Sequence, residues 1–217
     1  MSTQSDVVRF FDSFAETFDT IYDRKRNSLM RWLDRRFRSD MFIRFALTFK
    51  SFGDLTGKSV LDIGCGSGPY VLEALRRGAA GVTAVDPAPS MLALTRQRAD
   101  RARLAARCLL VQGSFPGVDV KAHDHAIVMG VLDYVADSGA FLAALKPLVK
   151  VSAAVSFPSK HWLRTPLRRL RYHLRGCRLH FYNENDIKKL CSVAGFTRIE
   201  IQKIPGAGMD YHVCLKP

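Results

Sequence analysis

The apolar residues Val7, Phe10, Phe11, Phe14 and Phe18 recur at steps of three and four, which is the stripe of an amphipathic helix. A second helical stretch is expected from about Ser28 to Phe52, and Ile21-Tyr22-Asp23-Arg24-Lys25-Arg26 between them mixes aromatic with charged residues. No Pro-rich or Gly/Ser-rich linker follows, so this N-terminal part should pack on the rest of the chain. From Lys58 the pattern alternates between short apolar runs and helical periodicity. Strands are expected at Ser59–Ile63, Gly81–Val85, Cys108–Gln112, Asp124–Gly130, Val149–Phe157, Phe196–Gln202 and Asp210–Leu215. Helices are expected at Pro69–Arg77, Ser90–Ala106, Ser138–Leu145 and Glu184–Ala194. Such alternation predicts an α/β fold: a Rossmann-like, open, mostly parallel seven-stranded sheet with helices on both faces.

The chain of 217 residues is 47% hydrophobic, long enough for one core. Its 33 basic and 20 acidic residues give a net charge of +13, which excludes an acidic chain. Only 24% of residues are charged, which argues against disorder. A basic balance serves nucleic acid, anionic lipid or an acidic metabolite equally well. It is concentrated after the fifth expected strand, where Lys160, Arg164, Arg168, Arg169, Arg171, Arg175 and Arg178 carry seven positive charges with no acid between residues 158 and 180. Arg96, Arg98, Arg101, Arg103 and Arg107 on the Ser90–Ala106 helix are read as surface arginines far from any motif. The five cysteines are widely spaced without a C-x-x-C pair, so neither a metal site nor a disulfide framework is expected. The N-terminus lacks a secretory apolar run and no stretch approaches a membrane span, so a cytoplasmic, reducing compartment is the default.

Val60-Leu61-Asp62-Ile63-Gly64-Cys65-Gly66-Ser67-Gly68-Pro69-Tyr70 carries the most chemical information: an apolar strand enters a glycine turn that opens a helix. Such a turn lets a ligand approach the main chain and offers free N–H groups to an anion. A dinucleotide turn wants G-x-G-x-x-G, whereas here the spacing is G-x-G-x-G and Pro69 holds the place of the third glycine. Asp62 would repel a pyrophosphate and attract an α-ammonium group. Asp86, at the end of the second strand, can accept both ribose hydroxyls of either cofactor class.

Val60 to Gly68, Ala84 to Met91 and Gly113-Ser114-Phe115 resemble the successive cofactor motifs of the class I S-adenosylmethionine-dependent methyltransferases. Val128 to Val135 and Ala194-Gly195-Phe196 are similar to later segments of that family, so the resemblance covers roughly residues 55 to 217. It implies S-adenosyl-L-methionine as cofactor and S-adenosyl-L-homocysteine as product. It further implies Gly64, Cys65, Gly66 and Gly68 along the methionine part, Asp62 near the ammonium group, Asp86 and Pro87 at the ribose, and Met91 against the sugar or adenine. Met129 and Gly130 would lie beneath the sulfonium. Where the family usually carries an acid for the adenine amino group, this chain has Ser114 with Phe115 beside it.

The resemblance also implies an N-terminal helical cover over residues 1–52, with Tyr22 touching the methionine end, and a methyltransferase domain over 53–217 in which 158–182 is a basic insertion on the substrate side. The expected reaction is methyl transfer to a small-molecule hydroxyl by in-line displacement, driven largely by alignment and exclusion of water. His161, Asp133 and Tyr182, with His180, are the candidates for a base on the rim of the crevice. The acceptor could be anionic or lipophilic, and contact with a membrane surface is open because Leu163, Leu167, Leu170 and Leu174 share one helical face flanked by arginines. An RNA acceptor is less favoured: the segment after the fourth strand reads Val131-Leu132-Asp133-Tyr134, without the N-P-P-Y type of sequence. A non-catalytic binding protein on the same scaffold is disfavoured by the intact Asp62, Gly64, Gly66, Gly68 and Asp86 set.

Overall fold

A computed structural model of the chain describes residues 41–160, 179–205 and 210–217. Among these residues, seven strands form one sheet: β1 (Ser59–Ile63), β2 (Gly81–Asp86), β3 (Cys108–Gln112), β4 (His123–Val128), β5 (Val149–Phe157), β6 (Arg198–Lys203) and β7 (Tyr211–Lys216). Their order is β3-β2-β1-β4-β5-β7-β6, with β1 to β5 parallel and β7 antiparallel between β5 and β6. The described helices are α1 (residues 41–52), α2 (Pro69–Arg76), α3 (Pro89–Arg101), α4 (Ser138–Leu145) and α5 (Glu184–Val193).

Parallel strands covered on both faces read as continuous apolar runs, and here the two faces carry separate cores. On one, Leu61, Ile63, Val128 and Val155 meet Phe141 and Leu142 of α4 and Ile187 of α5. On the other, Val60, Ile127 and Ala154 meet Phe49 and Phe52 of α1 and Val71 and Leu75 of α2. From β1 the chain steps outward through β2 to β3 and then returns to the other side of β1 as β4. That reversal opens a crevice at the carboxyl ends of β1 and β4, where ligands of such sheets bind.

The structure differs from the expected elements in three informative places. The helix expected to Ala106 ends at Arg101, because Arg103 takes the left-handed conformation at φ 58°. The Leu104 amide then bonds to Ala99 O at 2.8 Å and the Arg103 amide to Asp100 O at 2.9 Å, a Schellman closure with arginine in the slot that usually signals itself as glycine. The strand expected through Gly130 stops at Val128, since the Gly130 amide leaves the ladder and donates to Ser156 Oγ at 2.8 Å. Finally, residues 41–52 belong to the core: Thr48 and Phe49 are buried under the sheet, and the Phe49 ring contacts Phe45 and Tyr70. The rest of the expected N-terminal cover, with Tyr22, and residues 161–178 of the basic insertion, with His161, lie outside the described residues.

Phe49→Ala should remove a fully buried ring from between α1, α2 and the sheet. The expected loss is about 3–5 kcal/mol of stability, measured by denaturant unfolding against the unaltered chain.

Candidate functional site

The turn after β1 is built from its backbone outward. The amides of Gly64 and Cys65 both donate to Val85 O, at 2.8 and 3.1 Å, which bends the chain across the end of β2. The Gly66 amide donates to Asp86 Oδ2 at 2.8 Å, and the Ala88 amide donates to Asp86 Oδ1 at 2.9 Å. On the outer side, Thr95 Oγ1 of α3 donates to Gly66 O at 2.8 Å. Arg98 Nη1 reaches Ser67 O at 2.9 Å and Ser67 Oγ at 3.0 Å. Gly68 sits at φ 77°, and a Cβ there would stand 2.7 Å from the Thr95 side chain, so the close approach of α3 requires glycine. At Gly66 the space a side chain would fill is open, which leaves the main chain accessible to a ligand.

Asp62 is 1% exposed and its Oδ2 has no hydrogen-bond partner among the described residues. Burial, reinforced by the neighbouring Asp86 carboxylate, pushes its carboxyl up to about 8. Cys65, in the same turn, is likewise raised well above the usual thiol value, by burial first and then by Asp62 and Asp86. It is therefore held as a neutral thiol. Two adjacent carboxyl groups thus stand in opposite situations, one accepting two backbone amides and the other without a donor for one oxygen.

Beside the turn, on the same sheet face, α1 supplies polar groups. Strand alternation puts Asp62, Met129 and Ser156 on the α1 face, at neighbouring strands spaced ~4.8 Å apart. Ser156 Oγ accepts from the Gly130 amide and, at 3.4 Å, from Arg44 Nη1. The Arg44 guanidinium lies 3.8 Å from Asp210 Oδ2, and its side chain is 15% exposed. Thr48 Oγ1 donates to Arg44 O at 2.9 Å and stands 3.4 Å from His212 Nε2 and 4.0 Å from Met129 Sδ. Burial, then the charge of Arg44, lowers the His212 imidazole to about 4, so this ring is neutral near pH 7.

The residues expected from sequence divide on this geometry. Gly64, Cys65, Gly66, Gly68, Asp62 and Asp86 meet at the ends of β1 and β2, and Met129 and Gly130 follow at the end of β4. Pro87 joins Asp86 to α3, and Ser114 lies in the turn after β3, where the Gly113 amide donates to Asp86 O. Met91 is 1% exposed and packs with Ala88 and Leu94 on the first turns of α3. Phe115 turns inward against Phe141, ring centroids 4.9 Å apart, so its side chain belongs to the core.

Tyr182 also departs from expectation. Its hydroxyl is 2.6 Å from Ser138 Oγ, its ring packs edge-on to Phe157, and burial raises its phenol above the ordinary value. The residue fastens the described end of the basic segment to the core instead of standing on the rim: its amide donates to Pro158 O and its carbonyl accepts from the Lys160 amide. Asp133 is buried in the turn that follows Gly130, and its carbonyl accepts from the His180 amide at 2.9 Å. Arg98, read from sequence as a surface arginine far from any motif, instead binds the glycine turn. Thr95, Arg44, Ser156 and His212 were not singled out, since a lone hydroxyl or cation in a helix or strand has no spacing to mark it. No His, Cys, Asp and Glu cluster able to hold a metal occurs among the described residues, and no described helix is long and apolar enough to cross a membrane.

Comparison with known proteins agrees with this geometry. Residues 60–152 match the family model described as "Methyltransferase domain". The chain is 34% identical over 123 residues to the ubiquinone biosynthesis O-methyltransferase of Bradyrhizobium diazoefficiens, covering 55% of this chain and 47% of that protein. A second relative of the same name, from Rhodopseudomonas palustris, is 32% identical over an equal length. The chain thus spans about half the length of the curated relatives it matches. Among solved structures, the magnesium protoporphyrin IX methyltransferase of Synechocystis PCC 6803 with bound S-adenosylhomocysteine superposes with a TM-score of 0.78 at 18% identity, covering 99% of this chain and 100% of that one. An S-adenosylmethionine-dependent methyltransferase from Mesorhizobium loti aligns with a TM-score of 0.66 at 16% identity, over 79% of this chain and 96% of its own. The sheet order and the glycine turn thus carry the fold of these S-adenosylmethionine-dependent methyltransferases, and residues 60–152 match a methyltransferase domain.

Proposed function

We propose that the protein transfers a methyl group from S-adenosyl-L-methionine to the oxygen of a small-molecule acceptor, leaving S-adenosyl-L-homocysteine. The observation that carries the cofactor reading is the buried Asp62 oxygen without a donor, beside a turn whose main chain is open at Gly66. A buried polar atom without a partner is costly, and an α-ammonium group is a donor of the right charge to offset it. Asp86 is at the end of the adjacent strand for the ribose hydroxyls, and Ser114 one strand further out for the adenine amino group. The amino-acid end of the cofactor also carries a carboxylate, for which Arg44, on the sheet face that Asp62 shares, supplies a cation. The bound cofactor contributes an electrophilic methyl group on sulfur. What the chain contributes is alignment and a dry floor: Ser156 and Thr48 fix the Met129-Gly130 turn, and Asp62 and Arg44 orient the charged end.

Oxygen as the acceptor atom is supported by the names of the curated relatives, which are O-methyltransferases. The acceptor is expected against the Gly130–Tyr134 turn and the end of β5, where the His180 amide bonds to Asp133 O and the Lys160 amide to Tyr182 O, and the arginines and leucines of the 158–182 sequence suit an anionic or lipophilic molecule. Asp133 is our candidate for taking the hydroxyl proton, with His161 of the basic segment as the other group to test.

Calorimetry on the purified chain should detect binding of S-adenosylhomocysteine, and Asp86→Ala should lose most of that affinity; no binding at millimolar ligand would end the methyltransferase reading. Because the cation replaces a proton held by Asp62, affinity should rise from about pH 6.5 to about pH 8, with net proton release read from two buffers of different ionisation enthalpy. Asp62→Asn should abolish that release and weaken binding. The same substitution should lessen the pH dependence of ligand-free stability. A carboxyl raised in the folded state contributes stability that is complete below its unfolded value of about 4 and is lost as pH climbs through about 8. With an acceptor in hand, Asp133→Asn should lower kcat by on the order of a hundredfold at unchanged cofactor affinity, checked by transfer of a labelled methyl group.

A further inference from the structure

The glycine turn is gripped from α3 at two consecutive carbonyls. Thr95 Oγ1 holds Gly66 O at 2.8 Å, and Arg98 Nη1 holds both Ser67 O at 2.9 Å and Ser67 Oγ at 3.0 Å. Thr95 is fully buried, and so is Ser67 at 1% exposure. A trans peptide points its C=O and its following N–H in opposite directions. Fixing the Gly66 carbonyl toward α3 therefore turns the Ser67 amide away from α3. Fixing the Ser67 carbonyl sets the next plane, whose Gly68 amide closes the turn on Cys65 O at 3.0 Å. Before these two planes, the Gly66 amide is already committed to Asp86 Oδ2. Three successive peptide planes are thus set by side chains from β2 and α3, and the Ser67 amide is the group they orient.

We propose that Thr95 and Arg98 are positioning residues for the cofactor, holding the turn so that the Ser67 amide donates to the anionic end of the bound amino-acid moiety. This rests on the S-adenosylmethionine reading above. At residue 98 a single nitrogen, Nη1, reaches the Ser67 carbonyl and hydroxyl together, and the planar guanidinium fixes the direction of its hydrogens, whereas a lysine ammonium turns freely on a flexible stem. Thr95 has a second function, because its side chain occupies the space that a Cβ at Gly68 would need. The tight packing of α3 on the turn and the orientation of the turn's amide are consequently one arrangement.

The test compares the unaltered chain with Thr95→Val, Arg98→Gln, Arg98→Lys and Ser67→Ala, with Arg101→Ala on the exposed side of α3 as a control. S-adenosylhomocysteine affinity is measured by calorimetry and the ligand-free thermal midpoint in parallel. Thr95→Val and Arg98→Gln should each weaken binding by about tenfold or more, with Arg98→Lys recovering part of the loss and Arg101→Ala matching the unaltered chain. Ser67→Ala should bind nearly as the unaltered chain does, because the Arg98 bond to the Ser67 carbonyl is kept. Variants that fold and bind with unaltered affinity, or that shift the midpoint alone, overturn the proposal. Should Arg98→Gln fail to fold, Thr95→Val and Arg98→Lys decide on the same measurements. If the unaltered chain itself does not bind, the cofactor reading has failed; if it binds and the variants bind equally well, only the positioning role has.

Discussion

The hydrogen bond from the Gly66 amide to the Asp86 carboxylate ties the end of β1 to the end of β2, two strands already paired in parallel register from Ser59 and Gly81 to Ile63 and Val85. Without it the chain leaving β1 would have an unsatisfied amide at the floor of a crevice, and the carboxylate would lose one of the two backbone donors that keep it in place. Once that bond is set, the remaining turn has little freedom. Its carbonyls are taken by Thr95 and Arg98, its first amides by Val85 O, and α2 starts on Gly68, with the Leu72 amide bonding to Gly68 O. The turn is organised by the chain's own bonds, so a ligand bound there would meet little ordering cost.

Against that satisfied backbone, Asp62 stands out. A fully buried carboxylate without a full set of donors cannot stay charged cheaply, and the group takes up a proton instead, with Asp86 nearby working in the same direction. For a protein that had only to fold, an asparagine or an apolar residue would serve better. The retained strain is of the kind that binding relieves, since a cation in the crevice meets an acceptor oxygen with no competing donor. His212 shows the reverse case across the same face. Its imidazole is kept neutral by burial and by Arg44, so the guanidinium is the cation at that end of the crevice and the ring serves as a polar neighbour to Thr48.

The strands were legible in the sequence because burial on both faces imposes continuous apolar runs, and β1, β2 and β5 fall within a residue of where the pattern puts them. The turn was legible because three glycines stand in five residues after a strand that carries Asp62. What escaped was everything that depends on which atom a side chain touches. Periodicity sees Arg98 as one more polar position on a helix, although its guanidinium holds Ser67. It has no means of telling that Arg103 would take a left-handed conformation in place of the usual glycine, so the end of α3 was drawn about five residues late. Tyr182 and Phe115 followed the same logic: each lies beside a motif in sequence, yet each points inward, one to Ser138 and Phe157, the other to Phe141.

The arginines change how the charge of +13 is to be read. Arg107 donates to Ala79 O and, at 3.4 Å, to Leu75 O, holding the chain that leaves α2 as Arg98 holds the glycine turn. Arg44 bridges α1 to Ser156 and toward Asp210. These cations are bound by the protein's own oxygens, whereas the charged side chains at the ends of β1 and β2 are the acids Asp62 and Asp86. A uniform affinity for polyanions would need basic groups presented together on one open surface. Here part of the positive charge is consumed in holding helix ends and turns. In the sequence, the densest share is the run from Lys160 to Arg178, seven positive charges with no acid among them, and a test of acceptor recognition by charge starts with those residues.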